Sequence, residues 1–285
     1  MQGSKSTIYK NSRKEITQYD SIYTSPAAFE DLSALMTRVR DWCLKNNQDW
    51  PILFAGVEGS GKSTIALQVA KMLDPDFRIS DSIIFDVVGE NHSYEQFLNK
   101  YRGKRGVVSF FDEAVDVFAA TEHNTVEGRV IQKIFKTKRS YSHFDLIIAP
   151  SVWDLVPDIR NRRTKSLIYT FSQRGRKKDE ILHMFAYFSA ERLTQILQHK
   201  NLQLLLRIPE QLFKTVQPNL IGIYPNIDPE LDAEYQALKR ENQRDIELGG
   251  FAAIYDKREK RATGKRMPAG WERTPGEFDQ FLKQR

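Results

Sequence analysis

Two groups of residues in this 285-residue chain have the types and spacing for phosphate chemistry. The first is Gly56-Val57-Glu58-Gly59-Ser60-Gly61-Lys62-Ser63-Thr64, which fits the pattern G-x-x-x-x-G-K-[ST]. Glycines at 56, 59 and 61 open backbone angles closed to residues with a Cβ, so successive N–H groups can turn inward around a chain of phosphates. The helix that follows adds the partial positive charge of its N-terminus. Lys62 supplies a full charge for the β- and γ-phosphates, and the Ser63 hydroxyl is a natural ligand for Mg²⁺. The second group, Asp112 and Glu113, closes the apolar run Val107-Val108-Ser109-Phe110-Phe111. A carboxylate at that position can hold Mg²⁺ through its water shell, which is the role expected of Asp112. Glu113, on the other side of the strand end, is placed to polarise the water that attacks the γ-phosphorus. Together they imply a Mg²⁺-dependent hydrolase of a nucleoside triphosphate rather than an enzyme that passes phosphate to a metabolite, which needs no water-activating acid.

A third, looser set lies downstream. The apolar run Phe144–Ala149 ends in Pro150-Ser151, and Ser151 is a candidate to touch the γ-phosphate from the strand beside the acids. Its alternative is a plain helix cap. Arg160 and Arg163 follow, each a candidate arginine finger that completes a neighbour's site, and each equally readable as an ion pair or a contact to nucleic acid. Net charge is +6, and it is concentrated: Lys136 to Lys178 holds eleven Lys and Arg against three Asp, which leaves the remainder slightly acidic. Such a focused field favours a polyanion. Lys136, Lys138, Arg139, Arg174, Arg176, Lys177 and Lys178 are the expected DNA contacts, with a solvated basic surface as the alternative.

The elements that must position these groups follow from periodicity. Pro51–Ala55 predicts a strand before the glycine loop, and Ser63–Leu73 an apolar-striped helix after it. Phe29, Leu32, Leu35, Met36, Val39, Trp42 and Cys43 predict an earlier helix over 26–49. Ser82–Val87 reads as a strand, Ser93–Tyr101 as a short helix capped by Ser93, and Thr125–Tyr141 as an amphipathic helix with a basic face. Strands are predicted at Phe144–Ala149 and Ser166–Phe171, the last returning along Ile181–Phe188 through a basic hairpin tip. Alternating strands and helices imply a three-layer α/β fold with a mostly parallel sheet flanked by helices. A polar arm over 1–25, an ATPase domain over 26–200 and a mainly helical C-terminal region with a basic tail over 201–285 complete the expected organisation.

Hydrophobic content of 40% and charged content of 28% suit a globular chain, and no apolar run is long enough to span a membrane. Met1–Thr7 lacks the apolar stretch of a signal peptide, and the single cysteine, Cys43, cannot form an internal disulfide. A cytoplasmic setting is the expectation, that of a host cell if the gene belongs to a mobile element or virus.

The order P-loop, Phe111-Asp112-Glu113-Ala114, basic helix, Pro150-Ser151-x-x-Asp154-Leu155 and Ile159-Arg160-x-x-Arg163 resembles the RecA-type P-loop ATPases of mobile elements and viruses. These are relatives of the HerA–FtsK DNA pumps and the zonular-occludens-toxin-like ATPases. The resemblance covers Trp50 to Phe188; where many pumps carry Gln at the end of the sensor strand, this chain has Pro150-Ser151. The resemblance implies ATP and Mg²⁺ as the ligands, a ring of identical subunits, and hydrolysis coupled to the translocation or packaging of DNA. Two other readings stand beside it: an AAA+-like, nucleotide-switched loader or regulator on DNA, and a small-molecule kinase.

Overall fold

The computed structural model describes residues 27–85, 92–112, 114, 118, 141–175, 180–199 and 209–244. Two compact units divide the chain after Tyr235, so the domain boundary expected near residue 200 falls inside the first of them. Of the second unit, residues 236–244 are helical.

The first unit is built on seven strands: β1 (Ile52–Gly56), β2 (Ile83–Ile84), β3 (Val108–Phe111), β4 (Phe144–Ile148), β5 (Ser166–Arg174), β6 (Ile181–Ser189) and β7 (Leu220–Ile223). Their spatial order is β2-β3-β4-β1-β5-β6-β7. The strands from β2 to β5 are parallel to their neighbours, and β6 and β7 add antiparallel partners at one edge. β1 therefore lies in the middle, with every residue buried, as a short continuous apolar run in a doubly covered parallel sheet should be. Its register sets Ile52 beside both Leu146 and Ser166, so the loop after Gly56 emerges between the ends of β4 and β5.

Helices α1 (Ala27–Asn46) and α2 (Lys62–Leu73) cover one face. α1 buries Ala28, Leu32, Met36, Val39 and Cys43, and its start lies so close to β7 that a Cβ on Gly222 would collide with that of Ala28. The short helix α3 (Ile79–Ser82) leads into β2, and α4 (Tyr94–Lys100) starts at Ser93, whose side chain accepts from the Gln96 N–H. Helices α5 (Ala190–Gln198) and α6 (Pro209–Thr215) cover the opposite face with α4; Tyr94, Leu193, Ile196, Leu212 and Phe213 join one apolar cluster with Phe111, Tyr169 and Phe171. The three-layer α/β expectation holds.

Several details differ from the sequence reading. β2 is two residues long, β5 runs on to Arg174, and β7 and α6 were not expected at all. Trp42, counted into the apolar stripe of α1, is 49% exposed and meets Trp50 edge-on. The arm over 1–25, the basic helix expected over 125–141 apart from Tyr141, and the basic tail lie outside the described residues. Among the described residues no helix is long and apolar enough to cross a membrane.

Cys43 offers a direct check on how α1 is seated. Burial, reinforced by the negative charge of Asp49, pushes its thiol up to about 12. At pH 8 that leaves roughly one thiolate in 10⁴, against about one in four for an ordinary cysteine. Iodoacetamide should leave the native protein unmodified at pH 8 and label it fully in denaturant; rapid native labelling would show that α1 opens.

Candidate nucleotide-binding site

The glycine loop leaves β1 under tight constraint. A Cβ on Gly56 (φ 151°) would collide with the carbonyl oxygen of Thr170 on β5, so only glycine lets the loop rise beside that strand. The loop is then tied to β5 a second time, through Ser60 Oγ and Thr170 Oγ1 at 2.7 Å. Gly59 (φ 72°) has open space where a Cβ would stand, so the left-handed turn, not crowding, calls for glycine there. α2 begins at Lys62 immediately after Gly61 in the left-handed region. Lys62 Nζ donates to the carbonyls of Gly56 and Val57, both at 3.2 Å, and so arches back over the loop. The result is a concave turn, a helix N-terminus and an ammonium group set together, which is an anion cradle.

Asp112 follows directly after β3 and is 1% exposed. Its Oδ1 accepts from Ser63 Oγ at 3.3 Å, and its Oδ2 accepts from the Tyr235 hydroxyl at 2.6 Å. A hydroxyl and a carboxylate side by side at the head of the cradle are the hard oxygen donors that Mg²⁺ takes when phosphates complete its shell. The residues present therefore fit the ion, and Ser63 and Asp112 are the ones that would hold it.

On the far side of Gly61 the loop meets residues beyond β7. The Tyr224 hydroxyl donates to the carbonyls of Ser60 and Gly61 at 2.8 and 3.1 Å, and burial pushes that phenol well above its ordinary range, so it remains a donor. Gln68 on α2 donates to the carbonyl of Pro225 at 2.7 Å. Between these contacts opens a cavity of about 290 Å³ lined by Gly61, Thr64, His183, Tyr224, Asn226 and Ile227, among others. Through Gly61 and Thr64 the cavity adjoins the start of α2.

The downstream residues fare unequally. Ser151 lies past the end of β4, the neighbour of both β3 and β1, and its oxygen accepts from the Trp153 N–H at 3.2 Å as the cap of a 3-10 turn (Val152–Asp154). The hydroxyl keeps its own proton to donate. Arg160 sits in a π-helical turn (Asp158–Arg163), donates to the carbonyls of Trp153 and Leu155, and lies over the Trp153 ring at 5.0 Å. Burial lowers its pKa. Arg163 requires a correction. It is 5% exposed and pairs at 2.6 Å with Asp49, itself 3% exposed, at the end of the sheet where β1 starts. A finger must reach out of its own subunit, and this guanidinium is locked inside, so the ion-pair alternative describes it. Arg162, passed over in the sequence, is the exposed arginine of that turn, with a surface ion pair to Asp158. Arg174 ends β5 on the same face as Thr170 and Ser172, past the level where β1 stops. Glu113, Lys136, Lys138, Arg139, Arg176, Lys177 and Lys178 lie outside the described residues.

Thr170, Tyr224 and Tyr235 were missed as site residues. Tyr235 belongs to the stripe Leu231, Tyr235, Leu238, whose spacing says helix and nothing of phosphate.

Residues 52–170 match the family described as "ATPase family associated with various cellular activities (AAA)". That segment begins at β1, contains the cradle and the acid, and ends at Thr170. It is a P-loop ATPase domain. The domain hydrolyses ATP. No curated protein matches the sequence. Among solved structures, the chain is similar to the N-terminal domain of zonular occludens toxin from Neisseria meningitidis, at 14% identity and a TM-score of 0.39, over 65% of this chain and 97% of that one. It is also similar to the genome packaging NTPase B204 from Sulfolobus turreted icosahedral virus 2, at 16% identity and a TM-score of 0.35, over 52% and 96% of the two chains. A third is the Legionella pneumophila ATPase DotB, at 11% identity and a TM-score of 0.35, over 60% and 54%.

Two substitutions separate chemistry from architecture in the ATPase domain. Lys62→Ala should weaken ATP binding by about a hundredfold without lowering thermal stability, since charge-assisted bonds are worth ~1.5–3 kcal/mol each. Arg163→Ala should do the reverse. Removing one partner of a buried ion pair costs about 3–5 kcal/mol of stability, while turnover per folded molecule stays near normal. A folded Arg163→Ala protein without turnover would return this arginine to the site.

Proposed function

We propose that the chain is the subunit of a ring-shaped, Mg²⁺-dependent ATPase that translocates or packages DNA. What supports this reading is the basic sequence that links β5 to β6, two strands that run past the end of β1. β5 and β6 extend past the end of β1 as a hairpin, on the side of the sheet from which the P-loop rises. From Phe171 to Arg174 the projection is about 13 Å at ~3.3 Å per residue. Its tip sequence, Arg174-Gly175-Arg176-Lys177-Lys178, is basic. A charged hairpin joined to the P-loop through the Thr170–Ser60 bond is a lever that phosphate binding can move, and its charge suits a nucleic-acid backbone.

Within the site, the backbone of 57–63 and Lys62 hold the phosphates, Ser63 and Asp112 hold the metal, and Glu113 takes a proton from the attacking water. Mg²⁺, when bound, neutralises charge developing on the β- and γ-phosphate oxygens. Ser151 donates its hydroxyl proton toward the γ-phosphate. Tyr224, Asn226 and Ile227 border the space for the nucleoside. Because Arg163 is internal and Arg160 is held by two carbonyls, the arginine offered to a neighbouring subunit is Arg162. Lys136, Lys138 and Arg139 join the hairpin in gripping the backbone of DNA.

The match to the AAA family favours a second reading, a nucleotide-switched loader that assembles on DNA without moving it. Hydrolysis against DNA, salt and protein concentration distinguishes the two, together with a strand-displacement or triplex-displacement assay. For a motor neutralising about six phosphates, log affinity falls with log salt at a slope near −5. Turnover should rise with DNA and with subunit concentration, and triplex displacement should require ATP. DNA-stimulated turnover without displacement would favour the loader, and a flat salt dependence would remove DNA altogether. Arg162→Ala should lower assembled turnover by roughly 10³-fold or more if it acts in trans, and mixing it with Lys62→Ala subunits should restore part of the rate.

A further inference from the structure

The segment from Tyr224 to Tyr235 lies beyond the family-matched residues, yet it touches the cradle at one end and the metal-holding acid at the other. We propose that Tyr235 is a positioning residue for the Asp112 carboxylate, so that the ATPase site is completed in cis by a strap from the C-terminal side of the fold. The proposal rests on the reading above in one respect, that Asp112 acts at the metal.

Asp112 stands one residue past the last paired position of β3, where strand pairing no longer fixes its side chain. Its two oxygens nevertheless have different assignments, Oδ1 toward Ser63 and Oδ2 toward the Tyr235 hydroxyl. At 2.6 Å the second is a short, charge-assisted bond, and both residues are buried, which strengthens it. A carboxylate accepts about four hydrogen bonds, so the tyrosine leaves room for a metal-bound water while it stops the group from turning its oxygens away from Ser63.

The strap is built to deliver that hydroxyl. β7 pairs with β6 up to Ile223, and the Tyr224 hydroxyl then fastens the chain to the carbonyls of Ser60 and Gly61. Gln68 holds the Pro225 carbonyl. Asp228 accepts from the N–H groups of Glu230 and Leu231, capping a helical turn that opens with Pro229. Two turns on, the ring of Tyr235 meets Phe110 of β3 edge-on at 6.4 Å. Four fixed points precede a residue whose ring is packed, and its hydroxyl meets the Asp112 carboxylate.

The test uses the full chain and basal hydrolysis without DNA, so it stands apart from the DNA reading. Tyr235→Phe keeps the ring and removes the hydroxyl. Binding of a fluorescent, non-hydrolysable ATP analogue in EDTA should be unchanged, while the Mg²⁺ concentration that half-enhances binding should rise about tenfold. kcat should fall by a similar factor with KM for ATP within about twofold, and adding Asp112→Asn should cost little more than Asp112→Asn alone. If Tyr235→Phe alters only the melting temperature, with Mg²⁺ dependence and kcat as in the wild type, Tyr235 is a packing residue and the proposal fails. If Asp112→Asn itself leaves the Mg²⁺ dependence unchanged, the role of Asp112 fails first. If only Asp112→Asn responds, the failure belongs to Tyr235 alone.

Discussion

A carboxylate removed from water must be met by donors, because an uncompensated buried charge costs several kcal/mol. At Asp112 those donors come from residues far apart in the chain, Ser63 at the start of α2 and Tyr235 beyond β7. For both to reach one carboxylate, β3 must end level with the N-terminus of α2, and the chain after β7 must cross back over that helix. The parallel order β3-β4-β1 supplies the first condition, since it puts the ends of the three strands on one edge of the sheet. The pairing of β7 with β6 supplies the second, by starting the return from the far edge.

The same sheet keeps stability and chemistry at opposite ends. Where β1 begins, Arg163 and Asp49 form a buried pair next to the first residues of β1 and β5, and Lys165 donates its N–H to the Pro51 carbonyl. Where β1 ends, Gly56, Ser60 and Thr170 hold the loop against β5, and the polar groups there face a concave surface. The connection from β4 to β5, which contains the π-helical turn, runs between the two ends. Within six residues the turn presents an exposed Arg162 and an internal Arg163, so neighbouring arginines of one short motif have unrelated work.

Legibility varied with how local the signal was. The P-loop, β1 and α2 were readable because glycine positions, an apolar run and helical spacing each carry their own physics over a few residues. Ser93 was readable as a cap for the same reason, and the β5–β6 hairpin because two alternating runs flank a glycine. β7 was not, since Leu220–Ile223 has only four residues, and its place depends on the edge β6 offers. Trp42 joined a stripe by spacing alone, but it falls at the margin of the buried face of α1 and meets Trp50 instead of the core. Arg163 and Arg162 could not be told apart in sequence, because burial of one and exposure of the other is set by the turn that carries them.

What the amino-acid order determined by itself is the phosphate cradle, the acid that accompanies it and the α/β class, all of which follow from residue type and spacing within single elements. The tertiary structure decided which arginine is exposed, which hydroxyl meets Asp112, and that the residues after β7 touch the P-loop. Those outcomes depend on contacts between segments more than a hundred residues apart, such as Tyr235 with Asp112 and Tyr224 with Ser60. No local periodicity encodes a hydrogen bond of that range; it exists only once the sheet has fixed where each strand ends.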